Sequence, residues 1–129
     1  MKTLDQESIT GIAALLVHAA KIDEQYSDNE KILIKQFIKS YLKEVSDDEV
    51  LKKAEEIEQN SNQLLSFTNI IKKNTIEVKS DIIEHLWKMI ISDNTIDQYE
   101  SNLMRRVCGL IYFPDKMSAE IKLKLLNNK

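Results

Sequence analysis

Four acidic side chains stand where their types and spacing could hold a cation. In KIDEQYSDNE, residues 21–30, Asp23 is followed seven positions later by Glu30, and in ISDNTIDQYE, residues 91–100, Asp93 is followed by Glu100 at the same distance. An offset of 70 positions superimposes both pairs. Each copy reads D-x-x-apolar-[S/D]-x-x-E, with Tyr26 or Ile96 as the apolar residue and Ser27 or Asp97 after it. Carboxylate oxygens are the ligands of hard ions such as calcium and magnesium, and they also take part in manganese and zinc sites. Asp23 and Asp93 fall at or just beyond expected helix ends, where the macrodipole disfavours negative charge by roughly 0.3–1 kcal/mol. A cation shared between Asp and Glu oxygens turns that cost into binding. If the two halves pack as a pseudo-symmetric pair, the four carboxylates approach one another.

A second reading of the same residues needs no ion. Ser27 or Asp97 with a glutamate three positions on forms a capping box, which satisfies backbone N–H groups at a helix start and contributes about 1 kcal/mol. The preceding Tyr26 or Ile96 suits a hydrophobic staple. Asp at a helix end also forms Asx turns with nearby main-chain groups. Neither copy is an EF-hand: counted from Asp23, the sixth and twelfth positions hold Asp28 and Ile34, and from Asp93 they hold Gln98 and Met104, where that loop needs Gly and Glu.

The elements that position these turns are helices. Ile9, Ile12, Ala13, Leu16 and Ala20 recur at helical spacing, predicting a first helix over about Gln6 to Lys21. Ser27-x-x-Glu30, Ser46-x-x-Glu49, Asn74-x-x-Glu77 and Asp97-x-x-Glu100 each precede an apolar stripe and predict four further helix starts. Leu64, Leu65, Phe67 and Ile71 suggest a shorter helix after the polar break at Gln59 to Gln63. Phe113-Pro114-Asp115 ends the sixth, and Met117, Ile121 and Leu125 mark a last amphipathic one. No segment alternates as a strand would. The expectation is an all-α, compact bundle of about seven helices with two pseudo-repeated helix–acidic turn–helix units, in which consecutive helices are neighbours.

Composition agrees with that class. The chain has 129 residues, enough for one core without staples, and residues 1–129 are expected to form a single domain. Two glycines, one proline, 30% charged and 43% hydrophobic residues suit amphipathic helices. A net charge of −3 excludes a broad nucleic-acid footprint, which needs a basic face. The single cysteine fits a reducing compartment. The start MKTLDQES has no signal-peptide pattern, and the apolar run at Ile12 to Ala20 is far short of the roughly 20 residues that cross a bilayer. The expected location is the cytoplasm, with no membrane partner.

Other residues offer less chemistry. His18 and His85 do not superimpose under the offset, and a helical histidine is more often packed than ligating, so neither is assigned a site role. Cys108 reads as a small buried hydrophobe. There is no glycine-rich phosphate loop, and Gly11 and Gly109 fall inside expected helices. Trp87, Met89, Met104 and Phe113 have the spacing of core faces. No enzyme is expected, since paired carboxylates here lack a pocket and a nucleophile.

HAAKIDEQYSDNEKILIKQFI and its echo KMIISDNTIDQYESNLMRRVCGLI resemble the TerB-like family of small bacterial helical domains, from about Ile9 to Leu126. The resemblance implies a role linked to tellurite resistance or the stress response, in a family also found fused to J-domain co-chaperones. It further implies that the family's acidic positions, a proposed metal site, map to Asp23, Glu30, Asp93 and Glu100, with Asp97 added. Family members often carry Gly after the first Asp, whereas this chain has Glu24 and Asn94. Asn tolerates the left-handed conformation better than Glu, so the first turn is expected to differ in shape from the second. The expected function is that of a divalent-cation-binding domain. The alternative is an interaction adaptor with a protein partner, in which the acidic turns are only helix caps.

Overall fold

The computed structural model describes residues 6–21, 28–60, 64–91 and 98–127, with side chains throughout except at 64–67 and 98–100. The described residues form seven helices and no strand: α1 (Gln6–Lys21), α2 (Asp28–Tyr41), α3 (Asp47–Asn60), α4 (Leu64–Lys72), α5 (Ile76–Ile91), α6 (Gln98–Leu110) and α7 (Asp115–Asn127). The all-α bundle expected from periodicity is present, and α1 has the bounds that its apolar spacing predicts.

The core is organised around α1. Nine consecutive residues, Ile9 to Val17, are buried, as are Ala19 and Ala20. A helix apolar on all sides is a central helix. The stripe of Ile9, Ile12, Ala13, Leu16 and Ala20 is therefore only part of what α1 buries, because Ala14, Leu15 and Val17 face other neighbours. α1 packs on α2, α3, α4 and α5, and its largest contact is with α3. At Gly11 an added Cβ would lie 2.5 Å from Ile70 Cδ1, so a larger residue there requires the end of the Ile70 side chain to move aside.

α5 is the second hub. Val78, Ile82, Ile83, Leu86, Trp87, Met89, Ile90 and Ile91 are buried on it, and it contacts α1, α2, α4, α6 and α7. Consecutive helices are neighbours except α3 and α4, which do not pack substantially on each other, and the most extensive packing pairs helices that are not consecutive: α1 with α3, α5 with α7, and α1 with α4. Burial, which scales with apolar area, favours placing the two longest apolar helices, α1 and α5, inside over keeping chain order. α7 lies outermost. Only Ser118 on it is buried, while Met117, Ile121 and Leu125 pack against the core from outside.

Helix ends follow local chemistry, with one correction. Ser46 Oγ accepts from the Glu49 N–H at 3.4 Å, as a capping serine should. At α5, Thr75 is the cap in place of the expected Asn74: its Oγ1 accepts from the Val78 N–H at 3.3 Å. Asn74 closes the preceding helix, its side-chain amide donating to the Ile70 carbonyl at 2.9 Å and its main-chain N–H to that of Ile71 at 2.9 Å. α6 ends in a Schellman motif, with the Phe113 N–H bonded to the Cys108 carbonyl at 2.8 Å. Tyr112 occupies the left-handed position at φ 60° and is 69% exposed. Helix α6 is thus already closed before Pro114. Among the described residues no helix is long and apolar enough to cross a membrane.

Candidate metal centre

Of the acidic-turn residues, Asp23, Asp93 and Asp97 lie outside the described residues. Glu100 is in the first turn of α6, with its side chain also outside them. Glu30 is in the first turn of α2, where the dipole favours an acid, and is 3% exposed. A buried carboxylate needs a partner, and Glu30 has one.

A different set of ligand types converges on α5. Asp81, Glu84 and His85 stand at i, i+3 and i+4, which places them on one helical face. An oxygen from each carboxylate and one ring nitrogen of His85 all lie within 4.8 Å of one another. Ligands sharing a zinc-sized ion are about 3–3.5 Å apart, so small side-chain rotations close the set. All three residues are half-buried, deep enough to strengthen ligation and shallow enough for an ion to enter.

Neighbours orient this set. His85 Nδ1 lies 2.8 Å from the Asp81 main-chain oxygen. A carbonyl only accepts, so Nδ1 is the donor, the orientation in which the Nε2 of a neutral ring ligates metals. Phe37 packs against the imidazole, with ring centroids 5.0 Å apart and planes at 71°. The Tyr41 hydroxyl donates to Asp81 Oδ2 at 2.6 Å. Burial first, then the hydrogen bond and charge of Asp81, push that hydroxyl well above its ordinary pKa. Tyr41 therefore stays protonated and acts as a donor to Oδ2, while Oδ1 of Asp81 lies 3.6 Å from His85 Nδ1.

Glu84 has a competing partner, Lys88, whose Nζ is 3.6 Å from Oε2. Both side chains are about two-fifths exposed, so the pair is weak and yields to a stronger cation. Asp81 and Glu84 line a cleft of about 480 Å³ with Ile76, Glu77, Ser80 and Met117, giving access from solvent. The donor set of one imidazole and two carboxylates suits zinc or manganese better than calcium, which takes oxygen alone.

His18, the other histidine, belongs to a clamp between α1 and α3. Its Nδ1 is 3.2 Å from Glu58 Oε2, and Lys21 Nζ is 2.8 Å from Glu58 Oε1. Burial alone would raise the Glu58 carboxyl, but hydrogen bonds from Lys21 and His18, together with their charges, outweigh it and hold the pKa below its usual value. Both oxygens are engaged, which makes this an ion-paired tie between helices. Cys108 is 1% exposed, and burial pushes its thiol up, against a hydrogen bond with Ser118. It is the buried hydrophobe its context predicts.

Sequence reasoning left His85 without a role because it weighed the histidine alone. The signal that finds it is the helical triplet Asp81, Glu84 and His85. No spacing rule reaches Tyr41, which is 40 positions from Asp81.

A family model described as Tellurite resistance protein TerB matches residues 10–123. Comparison with curated proteins and with solved structures yields no match. The matched span runs from α1 into α7 and takes in all seven helices; the chain belongs to the TerB family.

Proposed function

We propose that this chain is a non-enzymatic, cytoplasmic TerB-family domain that binds a divalent cation, zinc or manganese, at Asp81, Glu84 and His85. The single observation that carries the reading is the convergence of Asp81, Glu84 and His85, one ligand atom from each lying within 4.8 Å of the others. Asp23, Glu30, Asp93, Asp97 and Glu100 are the second candidate ligand set, supported by their repeated spacing. A link to tellurite resistance or stress rests on the description of the matched family.

Thermal melts of chelator-treated protein with zinc, manganese, calcium or magnesium test it. Zinc or manganese at about a hundred times its dissociation constant should add about 2.7 kcal/mol. The gain should vanish in His85→Ala. A gain that survives His85→Ala and Asp81→Asn but is lost in Asp93→Ala moves the ion to the acidic turns. No gain with any ion ends the metal reading.

The adaptor alternative has one observation in its favour: Leu123 and Leu126 on the outer helix are 58% and 38% exposed. A partner that co-purifies and stays bound in chelator would favour it.

A further inference from the structure

Asp81, Glu84 and His85 all stand on one face of α5, so together they can cover only one side of an ion. What lies over the other side decides what else the ion takes. Asp81 and Glu84 line the cleft of about 480 Å³ between α5 and Met117 of α7, and His85 does not. The His85 ring is turned instead toward α2, where it packs on Phe37. Exposure follows the same direction, the side chains of His85 and Asp81 being 14% and 17% exposed and that of Glu84 38%. An ion on these ligands has its covered side toward α2 and its remaining positions toward the cleft, the arrangement of an open zinc site with three protein ligands. We infer that the cleft binds a small neutral nitrogen heterocycle of the imidazole type, whose lone pair completes the shell of the ion; this inference rests on the metal reading above.

Size, shape and charge select that class. The volume suits a small molecule. Ile76, which is 48% exposed, and Met117 supply apolar walls for a flat ring. The Asp81 and Glu84 carboxylates neutralise a divalent ion, and Glu77 then adds a further acid to the cleft, which no basic side chain lines among the described residues. An anionic ligand is repelled there. A neutral ring brings the nitrogen donor that zinc favours without added charge. Its second nitrogen carries a proton, and Glu77, exposed at the same cleft, accepts it in a charge-assisted hydrogen bond about twice as strong as a neutral one.

Cobalt(II) stands in for zinc in the test, because its visible absorption changes with its ligands. Binding of cobalt to chelator-stripped protein, and its loss in His85→Ala, establish the ion first. Imidazole titrated into the cobalt-loaded protein should then change the spectrum saturably, with cobalt retained after dialysis. Acetate should bind about tenfold more weakly, and so should 1-methylimidazole, which keeps the donor nitrogen but lacks the N–H. Glu77→Ala should remove the difference between the two imidazoles. Circular dichroism checks that each variant is folded, and if one is not, the comparisons on the wild type decide. The inference is overturned, with the metal reading intact, if cobalt binds and imidazole leaves its spectrum unchanged, if acetate matches imidazole, or if 1-methylimidazole binds as tightly. Cobalt that binds independently of His85, or not at all, overturns both.

Discussion

The Tyr41 hydroxyl donates to Asp81 Oδ2 across 2.6 Å, joining the last turn of α2 to the middle of α5. The bond ties a proton donor to one oxygen of a carboxylate whose other oxygen faces His85 at 3.6 Å. Tyr41→Phe removes the donor and keeps the ring, which packs on Phe37 with centroids 5.1 Å apart. Such a bond to a charged group contributes about 1.5–3 kcal/mol, so denaturant melts should show a loss of that order. If the carboxylate ligates an ion, zinc affinity should fall by about 10–100-fold as well. Unchanged zinc affinity with lowered stability would make Tyr41 a structural tie only.

Glu58 predicts a pH dependence with a definite sign. Its carboxyl pKa is lowered in the folded state, so the unfolded chain binds more protons in the acid range and the stabilisation is present above the unfolded value near pH 4.3. It is lost as pH falls through the folded value. Glu58→Gln should cost about 1–2 kcal/mol at pH 7, tempered by the partial exposure of Lys21. Urea melts at a series of pH values should show that difference shrinking below about pH 4. A constant difference across the range would show that the carboxylate charge contributes nothing.

Thr75 begins the helix that carries the candidate ligands. Thr75→Val preserves shape and removes the oxygen that accepts from the Val78 N–H, so stability should drop by about 1 kcal/mol. A thermal melt equal to that of the wild type would remove Thr75 as the cap.

Tyr112 stands in a left-handed position that costs a side-chain-bearing residue about 1–2 kcal/mol. Lys72 Nζ lies 4.9 Å from its ring centre, which at an exposed site returns about 0.5–1 kcal/mol. Relief of strain exceeds that loss, so Tyr112→Gly should raise stability by about 0.5–1 kcal/mol. A lower melting temperature would show that the cation–ring contact outweighs the backbone cost.

Much of this architecture is legible from residue spacing alone. The bounds of α1, the serine cap at Ser46 and the buried Leu103, Met104 and Val107 of α6 all follow from periodicity and capping, which act over a few residues, whereas α3 runs on through Gln59 and Asn60, where the polar run predicts a break. The shift from Asn74 to Thr75 marks the limit of that method. Two adjacent residues can both cap, and which end each serves depends on how α4 stops, which short-range patterns leave open. For the acidic turns the repeat at an offset of 70 is plain in the chain, while Asp23, Asp93 and Asp97 lie outside the described residues.

By itself the sequence determined a seven-helix, all-α chain, because helical periodicity and end signals are local and need no knowledge of neighbours. The spacing of Asp81, Glu84 and His85 along α5 is present in the sequence but goes unused where the histidine is weighed alone. Tertiary structure alone decided that Tyr41 meets Asp81, that Glu58 meets both His18 and Lys21, and that Met117 shares a cleft with Glu77, Asp81 and Glu84. Those meetings depend on which helices the apolar faces bring together, and burial is non-directional: it rewards area removed from water without specifying the partner.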